Sequence, residues 1–294
     1  MNKEKVVYKV SIVSIIVNVI LTIVKFLAGI FSHSQAMISD SVHSLSDILS
    51  TVVVIVGVKI SSKKADETHP YGHDRFECVA TIILAIMLLW TGLGIGLFGF
   101  KSIINGSYSK PGMFSLYSAI LSIITKEAMY WYTYIVAKRI KSDALVADAW
   151  HHRSDALSSV GSMIGIIGAR MGYLYLDSVA SIVISIFIMK VAIDIFKNSI
   201  DKMVDKSCDN ETINRINELI SSNKNIIQVD ELRTRQFGST AYVDIDVSVD
   251  GNLSFETAHN IAEDLHHSVE ENIPIVKHCM VHVSPWNEKT LSNK

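Results

Sequence analysis

Long apolar runs separated by short polar connections dominate the chain from about residue 6 to residue 196. A helix needs about 20 apolar residues to cross a hydrocarbon core of roughly 30 Å, and six segments approach this length. The third segment carries no charged residue, whereas the fourth contains Lys126 and Glu127. The predicted membrane-spanning helices are Val6–Phe31, Met37–Ile60, Cys78–Phe100, Met113–Ala137, Leu145–Ala169 and Leu176–Phe196.

The pattern changes after about Ser207, where polar residues become frequent and no further run of membrane length occurs. Helical spacing and period-two alternation then predict a series of shorter elements. These are a helix at Glu211–Ser222, strands at Val229–Phe237 and Ala241–Val249, a helix at Phe255–Asn272 and a strand at His278–Val283. The order αββαβ predicts a small α+β sandwich, with one sheet covered by two helices. We therefore expect a six-helix membrane domain over residues 1–206 and a soluble domain over residues 207–294.

Composition supports a polytopic α-helical membrane protein. The chain has 294 residues, of which 49% are hydrophobic and only 4 are proline, which is too apolar for an ordinary soluble domain. Its net charge is −2 and its basic residues occur in short scattered groups, so nucleic-acid binding is not indicated. Cys78, Cys208 and Cys279 form no Cys-x2-Cys pair, which argues against a disulfide framework or a thiolate zinc site.

The distribution of basic residues predicts the orientation in the membrane. Alternate connections are rich in lysine and arginine, and the opposite ones hold only Lys101, Lys110 and Arg170. The rich groups are Lys3, Lys5 and Lys9; Lys59, Lys63, Lys64 and Arg75; Lys138, Arg139 and Lys141; and Lys197, Lys202 and Lys206. By the positive-inside rule both termini are cytoplasmic, in a multi-pass protein of the cell membrane. No cleavage site for a signal peptide precedes the first run, so we expect that helix to be retained.

One polar pattern, Asp-x2-His-x3-Asp, occurs twice inside the apolar runs. Its first copy is Asp40, His43 and Asp47 in the second run, and its second copy is Asp148, His151 and Asp155 in the fifth. Ionisable groups at membrane depth are costly and usually functional. Residues four apart on a helix share a face, so each His-Asp pair can bind one ion. Two facing pairs would supply four ligands, whereas a single buried histidine is as readily explained by packing.

Imidazole nitrogen and carboxylate oxygen suit tetrahedral Zn²⁺ but also accept Fe²⁺, Co²⁺, Mn²⁺ or Cd²⁺. Metal and H⁺ compete for such groups near neutral pH, so binding one releases the other. A proton gradient could then drive metal export if the helices rock between inward- and outward-facing states. We expect Asp40 and Asp148 to orient the histidines or to pair with a basic group rather than to bind metal directly.

Two further clusters lie outside the membrane runs. Asp66, His69 and His73 occupy a polar connection where Pro70 and Gly72 indicate a turn, and they are equally well explained as a metal site or as a solvated loop. The other cluster lies in the soluble domain, where histidines are more often ordinary surface residues. Its members are Asp230, Asp246, His259 and His282, with His266, His267 and His278 nearby in sequence.

Together these motifs resemble the cation diffusion facilitator family. The resemblance rests on the two His-x3-Asp helices, the HPYGHDRFE loop, the LRTRQFG stretch at Leu232–Gly238, and Asn18, Lys25 and Gly29 of the first helix. It implies a homodimeric exporter of divalent metals in exchange for protons, with six transmembrane helices and a cytoplasmic ferredoxin-like, metallochaperone-like domain. The motif matches imply a transport site, a loop site and a charge pair between the third and sixth helices. These are, in that order, His43, Asp47, His151 and Asp155; Asp66, His69 and His73; and Arg75 with Asp205.

The soluble domain departs from the family pattern. Asp230 and Asp246 stand where relatives commonly have histidine, and Ser284 stands where they have an acid, whereas His259 and His282 match. Fewer nitrogen ligands weaken Zn²⁺ binding, so this site suits a harder ion or the domain serves mainly for dimerisation. His43 favours Zn²⁺ by the family pattern, but the HPYGH loop belongs to branches that also handle Fe²⁺ and Mn²⁺.

The sequence therefore predicts a proton-coupled exporter of Zn²⁺, with Fe²⁺, Mn²⁺, Cd²⁺ or Co²⁺ as alternative substrates. A secondary transporter of this kind is not an enzyme. An intramembrane metallohydrolase is disfavoured, because the sequence has no His-Glu-x2-His motif to place a general base beside the metal. A membrane-anchored metal sensor remains as a further alternative, and it would confine metal binding to residues after Ser207.

Overall fold

The computed structural model describes residues 3–31, 35–106, 113–171, 173, 176–238 and 240–286. Six long helices occupy the first part of the chain. They are α1 (Lys3–Phe31), α2 (Gln35–Ser61), α3 (Arg75–Asn105), α4 (Met113–Ile140), α5 (Asp143–Arg170) and α6 (Leu176–Met203). Each contains one of the predicted apolar runs and extends beyond it, because a helix continues through the polar residues that flank the hydrocarbon layer.

The chain divides into two compact units, residues 1–200 and 201–294. In the first, the long helices pack side by side, with α1 against α2 and α4 against α5. Its apolar core includes Val7, Val54, Leu84 and Leu145, all at most 1% exposed. Close approach of α3 to its neighbours depends on glycine: a methyl group at Gly57 of α2 would overlap Ala80 of α3. Small residues at such contacts are typical of helix packing within membranes.

Many large apolar side chains are exposed on the outer surface of this unit, and several polar side chains are buried inside it. Trp90 is 78% exposed and Phe98 is 70% exposed, although both are strongly hydrophobic. Among the described residues two helical segments have both the length and the composition of a membrane span, Lys5–Leu27 and Arg75–Asn105. Other helices carry charged groups that are buried within the bundle, among them Lys126. This inside-out distribution is that of a protein surrounded by lipid.

The second unit is the predicted α+β domain. Its elements are α7 (Asn210–Ser222), β1 (Gln228–Phe237), β2 (Thr240–Asp250), α8 (Phe255–Asn272) and β3 (Val276–Trp286). The sheet order is β1-β2-β3, with β1 antiparallel and β3 parallel to β2. Both helices start at side-chain caps, where Asp209 accepts from the Thr212 amide and Ser254 from the Thr257 amide.

The core of this domain lies between the sheet and the two helices. Ile216 and Ile220 of α7 pack with Val243 and Ile245 of β2 and with Leu265 of α8. The inward-facing residues alternate along β2, as the sequence pattern requires of a sheet with one covered face. The predicted order αββαβ, and with it the predicted fold class, is confirmed.

Candidate metal-transport site

Three residues of the duplicated motif come together inside the helix bundle. Asp47 of α2 lies beside His151 and Asp155 of α5, and one ligand atom from each lies within 4.8 Å of the other two. The His151 Nε2 atom is 3.6 Å from Asp47 Oδ1. All three side chains are buried, at 2%, 5% and 7% exposure. Two carboxylates and an imidazole in a buried cluster form a donor set for a divalent transition metal. The side chains of Asp40 and His43 lie outside the described residues.

A lysine from α4 occupies the same cluster. Lys126 Nζ donates to Asp47 Oδ2 at 2.5 Å and to Asp155 Oδ2 at 2.9 Å. Its side chain is 2% exposed. The sequence signal for this residue was a lysine in the middle of an apolar run, but the partners lie 79 and 29 residues away along the chain. Helical spacing predicts which residues are neighbours on one helix, but it does not predict partners on other helices.

Asp148 is fully buried one turn before His151 and contacts the second helix. Its Oδ1 atom accepts from the Ser50 hydroxyl at 3.2 Å and from the Thr51 hydroxyl at 3.4 Å. Its Oδ2 atom lies 3.6 Å from Nε2 of His152, which is also fully buried. Asp148 therefore joins α5 to α2 beside the cluster of Asp47, His151 and Asp155, and its described hydrogen bonds go to hydroxyl groups.

Arg153 lies between the helices α4 and α5. Its guanidinium group is 3.5 Å from a carboxylate oxygen of Glu127 and 4.3 Å from the centre of the Tyr130 ring. No sequence pattern predicts these partners, because they lie on a different helix from Arg153. Because Arg153 and Glu127 are 30% and 35% exposed, this pair lies at the edge of the bundle rather than at its centre.

The loop cluster also comes together, in a more open setting. His69 Nδ1 lies 3.4 Å and His73 Nε2 lies 3.5 Å from oxygens of Asp66. Asp66 Oδ1 accepts from the backbone amides of Thr68 and His69 at 3.0 Å and 2.7 Å. Hydrogen bonds from the Thr68 hydroxyl and from the His69 amide lower the pKa of Asp66 to about 2. The carboxylate is therefore fixed in its ionised form, with both imidazoles within reach of the same ion.

The four residues predicted in the cytoplasmic domain lie on four different elements. Asp246 of β2 and His282 of β3 are register partners, whereas Asp230 lies at an irregularity in β1 and accepts from the Ser248 hydroxyl at 2.6 Å. His259 lies on α8, stacked on Phe255. Within the described part of this domain, a different set of residues could hold a metal ion. One ligand atom from each of His266, Glu270 and His278 lies within 4.8 Å of the other two. A site built from the four predicted residues stays a prediction.

The predicted charge pair also stays a prediction. Arg75 is the first residue of α3, and Asp205 follows the end of α6 with a left-handed φ of 63°. The two residues belong to different compact units, and each is described within its own unit.

Comparison with known proteins places the whole chain in one family. The cation efflux transmembrane domain matches residues 11–204, and the cytoplasmic domain of cation efflux proteins matches residues 208–286. An uncharacterised transporter of Methanocaldococcus jannaschii, MJ0449, is 36% identical over 94% of this chain and 97% of its own length. The manganese efflux system protein MneS of Bacillus subtilis is 32% identical over 95% of this chain and 96% of its own.

A magnetosome protein and a solved domain are also similar to this chain. The magnetosome protein MamB of Magnetospira sp. is 32% identical, with 92% of each chain covered. A cadmium form of the MamM C-terminal domain covers 26% of this chain and 98% of that domain, with 24% identity and a TM-score of 0.26. Two domain matches that together span nearly the entire sequence, and full-length relatives above 30% identity, carry the assignment. The chain belongs to the cation diffusion facilitator family, whose members are membrane transporters of divalent metal cations rather than enzymes.

Proposed function

We propose that this protein exports Zn²⁺ from the cytoplasm in exchange for protons, through a site formed by Asp47, His151 and Asp155 and completed by His43. The observation that carries the proposal is the buried cluster of two carboxylates and an imidazole contributed by two helices. The cluster is buried inside a helix bundle with apolar side chains on its outer surface, where ionisable groups are costly and usually functional.

Zn²⁺ is our first choice of substrate because of the mixed nitrogen and oxygen donors. Imidazole ligands favour Zn²⁺ over Mn²⁺, in keeping with the general order of divalent metal affinities. Mn²⁺ is the second candidate, because the similar protein MneS is named a manganese efflux protein. Fe²⁺, Co²⁺ and Cd²⁺ accept the same ligands, so a panel of ions is part of the test.

Exchange follows from competition at the same atoms. Binding a divalent cation requires ionised Asp47 and Asp155 and a lone pair on the His151 ring. Protons compete for these groups, and each unit of pH difference across the membrane supplies about 1.4 kcal/mol per proton. Rocking of α2 and α5 would expose the cluster to one side at a time. We expect Asp40 and Asp148 to hold the ligands in place, and Asp66, His69 and His73 to bind metal at the loop.

The assembly of the protein and its orientation in the membrane are also part of the proposal. We propose a homodimer in the lipid bilayer of the cell membrane, with both termini and the α+β domain in the cytoplasm. The match to the cytoplasmic domain of cation efflux proteins supports the dimer, and the lysine-rich connections support the orientation. Arg75 and Asp205 are proposed as a charge pair that ties the third and sixth helices together. Asp230, Asp246, His259 and His282 are proposed as a metal site of the cytoplasmic domain.

The proposal is tested by metal uptake into proteoliposomes with an imposed pH gradient. Wild-type protein should accumulate Zn²⁺ against its gradient, and the simultaneous movement of protons should be visible with a dye trapped inside the vesicles. Asp47→Ala and Asp155→Ala should abolish both signals, whereas Glu127→Gln, at the edge of the bundle, should retain them. Transport that persists in both aspartate variants would reject the site. Metal binding confined to residues after Ser207, without flux, would favour the sensor alternative.

A further inference from the structure

Lys126 places a positive charge where the transported cation has to bind. Its ammonium group lies between the side chains of Asp47 and Asp155, at 2.5 Å and 2.9 Å from one oxygen of each. A Zn²⁺ ion held by the same oxygens would lie about 2.0 to 2.2 Å from each of them. A metal ion and the ammonium group cannot share these oxygens without strong repulsion, so the two compete.

The burial of the cluster makes a counter-charge necessary when no metal is bound. Asp47 and Asp155 are 2% and 7% exposed, and an unpaired buried carboxylate costs several kcal/mol. Lys126 supplies one positive charge to the two carboxylates and links α2, α4 and α5 in doing so. The neighbouring Glu127 pairs with Arg153 at the edge of the bundle and does not compensate the lysine.

We propose that Lys126 is a built-in competitor of the transported metal, which closes the empty site and is displaced when a divalent cation binds. This inference rests on the proposed transport function. The ammonium group weakens metal binding because its contacts must be broken, and it keeps the empty site charge-compensated during the return of the transporter. A divalent ion with ligand bonds can displace it, whereas a monovalent ion lacks the charge to do so.

The proposal separates two properties that a purely structural ion pair would change together. Without Lys126 the carboxylates attract metal more strongly, so the dissociation constant should fall. The empty site would then carry uncompensated negative charge and the metal would leave slowly, so the maximal transport rate should fall as well. Loss of a merely structural ion pair would instead weaken metal binding and lower the rate through misfolding.

The test uses the full chain in lipid nanodiscs and in proteoliposomes. In Lys126→Gln we expect the Zn²⁺ dissociation constant, measured by calorimetry at fixed pH, to decrease by at least about tenfold, and the maximal flux to decrease by at least about tenfold. Lys126→Arg should remain close to wild type, because it keeps the charge. Glu127→Gln is the matched control on the next residue of the same helix.

Unchanged or weaker Zn²⁺ binding in a folded Lys126→Gln variant overturns the role of the lysine. Should that variant fail to fold, Lys126→Met and the arginine variant supply the same comparison of binding and rate. Failure of the proposed function has a different signature: wild-type protein would show no Zn²⁺ flux, or Asp47→Ala would bind and transport Zn²⁺ as well as wild type. Different observations would therefore reject the role of Lys126 and the proposed transport function.

A second and independent observation concerns the cytoplasmic domain. His266 and Glu270 lie one turn apart on α8, facing His278 of β3, and one ligand atom from each lies within 4.8 Å of the other two. Their side chains are 24%, 29% and 49% exposed, so the group is accessible to an ion from solution. None of the three belongs to the four residues predicted as the metal site of this domain.

The peptide of Cys279 orients two members of this group. His266 Nδ1 lies 2.6 Å from the Cys279 carbonyl oxygen, and because a carbonyl only accepts, this nitrogen is the donor. Glu270 Oε1 accepts from the Cys279 amide at 2.9 Å. A neutral His266 then directs the lone pair of Nε2 toward Glu270 Oε1, 3.4 Å away. His278 Nδ1 lies 3.2 Å from the same Glu270 oxygen, so a cation bound at this oxygen would have both imidazoles within reach. Ligating histidines typically donate their other nitrogen to a carbonyl, as His266 does here.

We infer that His266, Glu270 and His278 form a binding site for a divalent transition-metal ion, with its remaining positions open to water. The full chain carrying Asp47→Ala and Asp155→Ala, which removes the transport site, is the background for the test. In that background His278→Ala and Glu270→Gln should each bind one Zn²⁺ fewer per chain by equilibrium dialysis with metal analysis. His267→Ala is the control, because that histidine instead faces Glu263, at 3.6 Å.

Co²⁺ provides a direct spectroscopic check in the same background. A site with two imidazoles and a carboxylate should give visible absorption bands that are lost in His278→Ala and kept in His267→Ala. Glu270→Gln retains an acceptor for the Cys279 amide, so a loss of metal there reports the charge rather than the fold. Equal Zn²⁺ content in all four proteins would overturn the assignment.

Discussion

The buried cluster in the helix bundle and the partly exposed cluster in the loop use the same residue types in different surroundings. Asp47, His151 and Asp155 are almost inaccessible, whereas Asp66 and His69 of the loop are exposed and only its His73 is buried. The protein compensates the buried carboxylates with the ammonium group of Lys126. The loop carboxylate is compensated by solvent and by the hydrogen bonds of its own turn.

This difference in burial is why we propose the bundle cluster, and not the loop cluster, as the transport site. In the bundle each charge depends on another helix, so binding a cation changes contacts among α2, α4 and α5. In the loop each donor is held by residues within a few positions, so binding changes local structure only. Electrostatic effects are also stronger inside, because water screens the loop and does not reach the bundle cluster. Substitutions in the two clusters should therefore differ greatly in effect.

The largest effect is expected at the buried carboxylates. Asp155→Asn keeps the size of the side chain but removes a charge that both Lys126 and the metal need. We expect Zn²⁺ flux into proteoliposomes to fall by at least about a hundredfold, more than the 10- to 100-fold typical of groups behind a metal ligand. A flux within threefold of wild type in a folded protein would contradict the comparison.

A smaller effect is expected at Asp148, which supports the cluster from behind. Asp148→Asn retains one acceptor oxygen for the hydroxyls of Ser50 and Thr51 but removes the buried charge. We expect a roughly tenfold loss of flux, because groups that orient metal ligands contribute at this level. Thr51→Val tests the weaker of the two contacts alone, and an effect as large as that of Asp148→Asn would argue against this ranking.

The loop should show a modest effect with a distinct pH signature. The lowered pKa of Asp66, about 2 instead of 3.8, means that the ionised carboxylate stabilises the turn above about pH 3.8. That contribution is lost as the pH falls through about 2. The carboxyl carbon of Asp66 in a ¹³C NMR titration should therefore have its midpoint near 2. Thr68→Val removes the hydroxyl hydrogen bond and should move this midpoint upward, while flux at neutral pH changes little.

The smallest effect is expected at the edge of the bundle. Glu127→Gln breaks an ion pair of two partly exposed side chains, and such pairs contribute about 0.2 to 1 kcal/mol. Arg153 keeps its contact with the Tyr130 ring, 4.3 Å away. We expect unchanged flux and a shift of a few degrees at most in the unfolding temperature. A loss of flux comparable with that of Asp155→Asn would mean that burial does not decide the ranking.

Local pattern was enough to predict the elements of this protein. The six apolar runs became α1 to α6, because a hydrocarbon layer admits few structures other than a helix of about 20 residues. Alternation along β2 and helical spacing along α7 gave the order αββαβ. The repeated His-x3-Asp spacing brought His151 and Asp155 to one face of α5, since residues four apart share a face.

Contacts between distant segments were decided by tertiary structure alone. Lys126 was visible in the sequence as a charge within an apolar run, but its partners Asp47 and Asp155 lie on two other helices. Glu127 as the partner of Arg153, and the meeting of His266 with His278, depend in the same way on how helices and strands pack. Sequence periodicity specifies which face of an element a side chain occupies. Which other face lies opposite follows from packing of the whole fold, so the position of the Lys126 ammonium group beside Asp47 and Asp155 could not be predicted from the sequence.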